Sequence, residues 1–167
     1  MDSEAELGQF VDAVVHETRE REQVVAEARS WLGTPFQHQQ ALKGVGVDCL
    51  TLIIAVYRAV FPEVRVEVPD YAPDEFLHQS AERYADGLRP YFVFLGPTWP
   101  QMADVVGFHF GRRTVAHVGI ALDDAGQFVS ALMDNGRVEM GGLEQQGWGQ
   151  RWSGTWRLRR WMGNSAG

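Results

Sequence analysis

A single cysteine occurs in 167 residues. That excludes an internal disulfide framework and a cysteine-built structural zinc site, and nothing in the composition calls for an oxidising compartment. A basic excess is also missing: 15 Lys and Arg stand against 22 Asp and Glu, for a formal net charge of −7. Nucleic acid and anionic membrane surfaces are therefore poor partners. No apolar run approaches the roughly 20 residues that cross a bilayer, and the acidic beginning is unlike the basic start of a secretory signal. The expectation is a protein made in a cytoplasm, with no membrane insertion and no export signal of its own. Internal repeats and low-complexity segments are lacking too, and 45% hydrophobic content over this length suits one folded domain.

The charge that is present is unevenly spread. Asp2, Glu4, Glu6, Asp12, Glu17, Glu20, Glu22 and Glu27 crowd the start, and Arg151, Arg157, Arg159 and Arg160 lie near the end. Within the acidic start, Leu7, Phe10, Val11, Val14 and Val15 recur at helical spacing. They predict a helix from Glu4 to about His16, an arm of residues 1–18 ahead of a main domain over 19–161 and a short flexible tail over 162–167. A second helix is expected from Arg19 to Trp31, stopped by Gly33-Thr34-Pro35. A third begins at Cys49 and ends near Phe61-Pro62, where proline lacks the N–H to continue it.

Val64 to Val68 reads as a short extended piece, and Asp74 caps an expected helix to about Ala85. The period then changes to two. Expected strands are Val105–Phe110, Val115–Leu122, Gln127–Leu132, Arg137–Met140 and Thr155–Trp161, joined by turns such as Asp134-Asn135-Gly136. Helices first and a strand meander after give an α+β domain.

The cysteine sits in Gly46-Val47-Asp48-Cys49, at the head of the apolar run Leu50 to Tyr57. A thiol in the first turn of a helix meets unpaired N–H groups and the positive end of the macrodipole, both of which favour the thiolate. A lone cysteine is more often a small buried hydrophobe. Here the Gly44-Val45-Gly46 turn and Asp48 suit the exposed start of a buried helix. Downstream, Thr114 to Leu122 carries His117 in a β-branched, apolar segment. Cysteine then histidine, helix start then strand, is the order of a papain-like hydrolase. His38 and His109 show no tight ligand spacing with this pair, and neither a metal nor a cofactor is expected. Trp31, Trp156 and Trp161 fall at periodic core positions; Trp99, Trp148 and Trp152, near proline and glycine, are the better candidates to line a groove.

Four segments together, Trp31-Leu32-Gly33-Thr34-Pro35-Phe36, Gly46-Val47-Asp48-Cys49-Leu50, Ala103 to Phe108 and Ala116-His117-Val118-Gly119-Ile120, resemble the successive motifs of NlpC/P60 cysteine peptidases over roughly residues 22 to 161. His38 to Gly44 and Val68 to Asp74 are similar to the phage and gene-transfer-agent tail branch. The resemblance implies a papain-like fold in which N-terminal helices, with the nucleophile at a helix start, pack on an antiparallel sheet or half-barrel. It implies hydrolysis of peptidoglycan stem peptides at the bond from D-γ-glutamyl to a diamino acid, with Cys49 as nucleophile and His117 as base. It also implies a place in a virion tail beside other tail-tip or hub proteins, acting in the host periplasm or cell wall.

The chain departs from the family pattern at three places. Ser130 stands where a longer polar residue usually orients the histidine, and Phe36 where tyrosine is common, with Gln37, His38 and Gln39 next to it as substitutes for the missing donor. Leu50-Thr51 replaces the frequent Ser-Gly. By resemblance Asp48 recognises a substrate amine; by position it caps a helix. Two other functions fit the same scaffold: a structural tail-tip or hub protein with a degenerate site, and a thiol acyltransferase.

Overall fold

The computed structural model describes residues 3–66, 88–110, 115–145 and 147–163. The first element is a continuous helix, α1 (Ser3–Arg29), where two were expected. Nothing between His16 and Arg19 breaks it: neither glycine nor proline intervenes, and Thr18 folds its hydroxyl back onto the Val14 carbonyl at 2.8 Å. Every residue from 3 to 16 is exposed, and burial begins with Glu20, Arg21, Val24 and Ala28. This second half is fastened to the domain by Arg21, whose Nη1 donates to the Met102 carbonyl at 2.7 Å and to Asp104 at 3.3 Å. Trp161 Nε1 adds a bond to Glu20 at 2.8 Å.

A hairpin of β1 (Ala41–Leu42) and β2 (Gly46–Val47) leads into α2 (Cys49–Val60). Strands of two residues are too short to show a period. Then come β3 (Phe92–Phe94), β4 (Val105–His109), β5 (Val115–Ala121), β6 (Gln127–Leu132), β7 (Arg137–Gly142), the single turn α3 (Trp148–Arg151) and β8 (Trp152–Leu158). The six longer strands form one sheet in the order β3-β8-β4-β5-β6-β7, with every neighbouring pair antiparallel. The expected strand to Trp161 stops at Leu158, because Arg159–Trp161 turn into a 3-10 helix. Val64 to Val66 form no strand, and the expected turn and helix over 69–85 lie outside the described residues.

Side chains alternate across a strand, so each strand feeds two cores. The larger holds Leu52, Ile53, Val56 and Tyr57 of α2 against Val105, Val118, Ile120, Val129 and Ala131. The smaller, on the other face, gathers Val106, Phe108, Ala121, Phe128 and Leu143 under Trp148 and Trp152. Trp31, Trp156 and Trp161 are buried as their spacing predicts. The architecture is the expected α+β arrangement of an N-terminal helix and a helix-borne cysteine on an antiparallel sheet.

Candidate active site

The start of α2 is built around Asp48. Its Oδ1 accepts the N–H groups of Leu50 at 3.0 Å and Thr51 at 2.9 Å, and Thr51 Oγ1 accepts the Asp48 N–H at 2.9 Å, completing a capping box. Oδ2 accepts the Gln39 N–H at 2.7 Å, tying the preceding loop to the helix. Asp48 is fully buried and is absent from the wall of the cavity described below, so capping is the role its geometry serves. The cap occupies the N–H groups of Leu50 and Thr51 and leaves that of Cys49 to the first turn.

Opposite this helix start the sheet comes apart. The β6–β7 ladder runs for six residue pairs, but β5 and β6 share only Ile120↔Val129 and Ala121↔Phe128. Ala121 sends its N–H to Asp104, on the β4 side, and Leu122 sends its own to Gln127, on the β6 side. Alternation along the strand then turns the Val118 N–H toward β6, where the ladder has ended. The Cys49 thiol lies close enough to this N–H for it to pull the thiol pKa down.

His117 reaches the same gap from the other face of β5. It stands opposite Phe108, and the register skips between Phe108 and His109, leaving Ala116 as an unpaired extra residue. The imidazole lies 5.9 Å from the Phe108 ring, 6.1 Å from Phe110 and 5.9 Å from Trp148, centre to centre. Gly119, on the same face, has no room for a side chain: a Cβ there would lie 2.9 Å from the Val129 carbonyl oxygen and 3.3 Å from Ser130 Cβ. That close approach packs β6 onto β5 at Ser130, on the face of the sheet that carries His117. Among the described residues, neither His117 Nε2 nor Ser130 Oγ has a hydrogen-bond partner, although both atoms are buried. Ser130 is on the expected face but is not bonded to the imidazole.

Between the parted strands lies a cavity of about 280 Å³, walled by Phe36, His38, Cys49, Phe110, Ala116, His117, Ala131, Leu132, Met133 and Asp134. Of the residues singled out in the sequence, Cys49, His117, Phe36 and His38 meet there. Gln37 and Gln39 are exposed and do not line it. Trp148, a groove candidate in the sequence, packs on the imidazole outside the cavity wall, and Phe108 and Phe110, which the sequence reading did not single out, complete an aromatic enclosure of His117. Trp99 and Trp152 meet edge to face at 5.9 Å, away from the cavity wall.

The electrostatics reverse one expectation. Burial pushes the Cys49 thiol up to about 12, and the Asp48 carboxylate adds to the rise. The N–H groups of Val118, Leu50 and Cys49 pull the other way and are outweighed, so desolvation defeats the helix start. Burial alone lowers His117 to about 4. Near pH 7 the pair is a neutral thiol and a neutral imidazole.

No family model and no curated protein matches the chain. Solved structures do. An NlpC/P60 family protein from Bacillus cereus aligns with a TM-score of 0.59 at 18% identity, over 83% of this chain and 40% of its own. A lipoprotein-like NLP/P60 family protein from Staphylococcus aureus aligns with 0.57 at 20% identity, over 84% and 41%. The peptidoglycan hydrolase RipB from Mycobacterium tuberculosis aligns with 0.55 at 18%, over 83% and 64%. The chain thus spans about two fifths of the length of the first two. The fold is that of NlpC/P60 proteins.

Proposed function

We propose that this chain is a cysteine peptidase that hydrolyses peptidoglycan stem peptides. The observation that carries the reading is the meeting of Cys49, at a capped helix start, with His117 in one cavity, on a fold shared with a peptidoglycan hydrolase. Because Nε2 is sealed beneath the aromatic rings, Nδ1 is the nitrogen that serves the cavity. The thiol attacks the scissile carbonyl carbon as its proton passes to His117, and the backbone N–H of Cys49 steadies the oxyanion. The C–N bond breaks, the amine leaves with the proton from His117, and the acyl part remains as a thioester. Water, deprotonated by His117, then releases the acid and regenerates the thiol. Starting from a neutral pair, the proton moves with the attack rather than before it.

The finer assignments are part of the same proposal. The bond is that from the γ-carboxyl of D-glutamate to the diamino acid, and the setting is a phage or phage-like tail, next to other tail-tip or hub proteins, acting in the host periplasm or cell wall during entry. The segments His38 to Gly44 and Val68 to Asp74 support the setting by resemblance. Ser130, on the face of the sheet that carries the histidine, is assigned to orienting it once substrate closes the cavity. A second reading, a structural tail protein with a lapsed site, is favoured by the neutral pair and the unbonded Ser130. Defined muropeptides incubated with the parent and with Cys49→Ala, with products identified by mass, decide between them. Cleavage beside the diamino acid by the parent alone supports the peptidase; no cleavage of muropeptides or whole peptidoglycan supports the structural protein.

A further inference from the structure

The first half of α1 carries a surface that the candidate active site does not use. Leu7, Phe10, Val11, Val14 and Val15 are 62%, 66%, 48%, 47% and 42% exposed. Leu7, Phe10, Val11 and Val14 fall at i, i+3, i+4 and i+7, the spacing by which an amphipathic helix seats in a groove. At 100° per residue this stripe is centred roughly 75° from the face of Glu20, Arg21, Val24 and Ala28 that packs on the domain, and it overlaps that face's edge, since Phe10 falls on the line of Ala28 and Leu7 on that of the half-buried Val25. It carries the apolar seam beyond the domain and widens it to one side.

Charge decides what covers it. Glu6 and Glu17 border the stripe on one side and Asp12 on the other, Glu4 lies at its end, and no Lys or Arg occurs from Ser3 to Thr18. An anionic bilayer would be repelled. Two copies of the helix laid face to face would bring their carboxylate borders together without a cation between them. The complement is an apolar groove with a basic rim. We infer that Ser3 to Thr18 is a docking helix for a partner protein whose apolar groove is edged by lysine or arginine. The apolar anchors supply affinity, and the acidic borders supply register and encounter rate. The anchored half of α1 keeps the docking half helical in advance, which lowers the ordering cost on binding.

The test uses the whole chain and, as a stand-in for the groove, a synthetic amphipathic helix of about 18 residues with leucine on one face and lysine along both borders. Binding is followed by fluorescence anisotropy for the parent, for Phe10→Asp with Val14→Asp, and for Glu6→Lys with Asp12→Lys. All four side chains are exposed, and far-ultraviolet circular dichroism confirms that each variant stays folded. The expected result is saturable binding by the parent, weakened at least about tenfold by the apolar pair. The charge pair should weaken binding by a smaller factor, and added salt should reproduce that loss. No binding by the parent, or binding untouched by the apolar pair, overturns the inference. So does self-association in sedimentation, or adhesion to phosphatidylglycerol vesicles, that the apolar pair abolishes.

Discussion

Two buried polar sites lie on neighbouring parts of the same sheet and are treated in opposite ways. Asp104, just before β4, is fully buried and accepts Arg157 Nε at 3.0 Å and Nη2 at 2.7 Å, Arg21 Nη1 at 3.3 Å and the Gln101 N–H at 2.9 Å. His117 Nε2 and Ser130 Oγ are buried with no partner among the described residues. A carboxylate satisfied from α1, β8 and its own loop fastens the elements together. An imidazole left unsatisfied in an aromatic enclosure costs stability, and such costs concentrate where chemistry is done. The Asp104 carboxylate and the His117 imidazole thus differ in their hydrogen bonds, although Arg21 Nη2 beside Asp104 and Ser153 Oγ are also buried without a partner among the described residues.

The sharpest way to break this contrast is to remove one member of each. Asp104→Ala strands Arg21 and Arg157, and is expected to cost about 3–5 kcal/mol in denaturant unfolding. His117→Phe is expected to cost no stability, since a third phenylalanine ring replaces an unpaired imidazole among Phe108, Phe110 and Trp148, while peptidase activity disappears. Equal destabilisation by the two would erase the distinction.

The same contrast has a pH signature. Unfolded, His117 takes up a proton near the ordinary histidine value of 6.5; folded, it does so only near 4. The unfolded state therefore binds more protons between these values, and stability falls as pH drops from 6.5 to 4, by about 3 kcal/mol for a shift of this size. His117→Phe should flatten that segment. Cys49 acts at the other end: its folded value near 12 lies above the ordinary cysteine value of 9.0, so stability is lost as pH rises across that window. Cys49→Ala should remove this loss. Iodoacetamide should label the parent slowly at neutral pH and faster as pH rises.

Smaller effects sharpen the picture around Cys49 and Ser130. Asp48→Ala removes the cap of α2 and should cost about 1 kcal/mol, with the loss shared between stability and thiol placement. Ser130→Asn should give Nε2 an acceptor, move the acid limb of the kcat/KM profile upward in pH and raise kcat. Ser130→Ala should change stability by no more than about 0.5 kcal/mol, because no bond is lost.

Much of this was legible before the fold was known. Gln127–Leu132 forms β6 as its alternation predicts, and Cys49 opens α2 because Gly46, Asp48 and the apolar run place a helix start there. The charge change near residue 18 reads as a boundary, yet without a helix breaker α1 runs through it. The hairpin of β1 and β2 is too short for periodicity to reveal. Which partner strand ends early is a property of the whole sheet, so the gap that seats the thiol against Val118 left no local mark. The neutral state of Cys49 was hidden for the same reason: the helix start is written in the sequence, and the depth of burial is not.

The most direct test is to trap the acyl-enzyme. The parent, Cys49→Ala and His117→Phe would each be mixed with a defined stem peptide, quenched in acid and weighed intact. A thioester adduct on Cys49 of the parent, absent from Cys49→Ala and severely reduced in His117→Phe, is the predicted result. Stem-peptide cleavage by Cys49→Ala, or cleavage by the parent with no adduct and equal rates in both variants, would contradict the account.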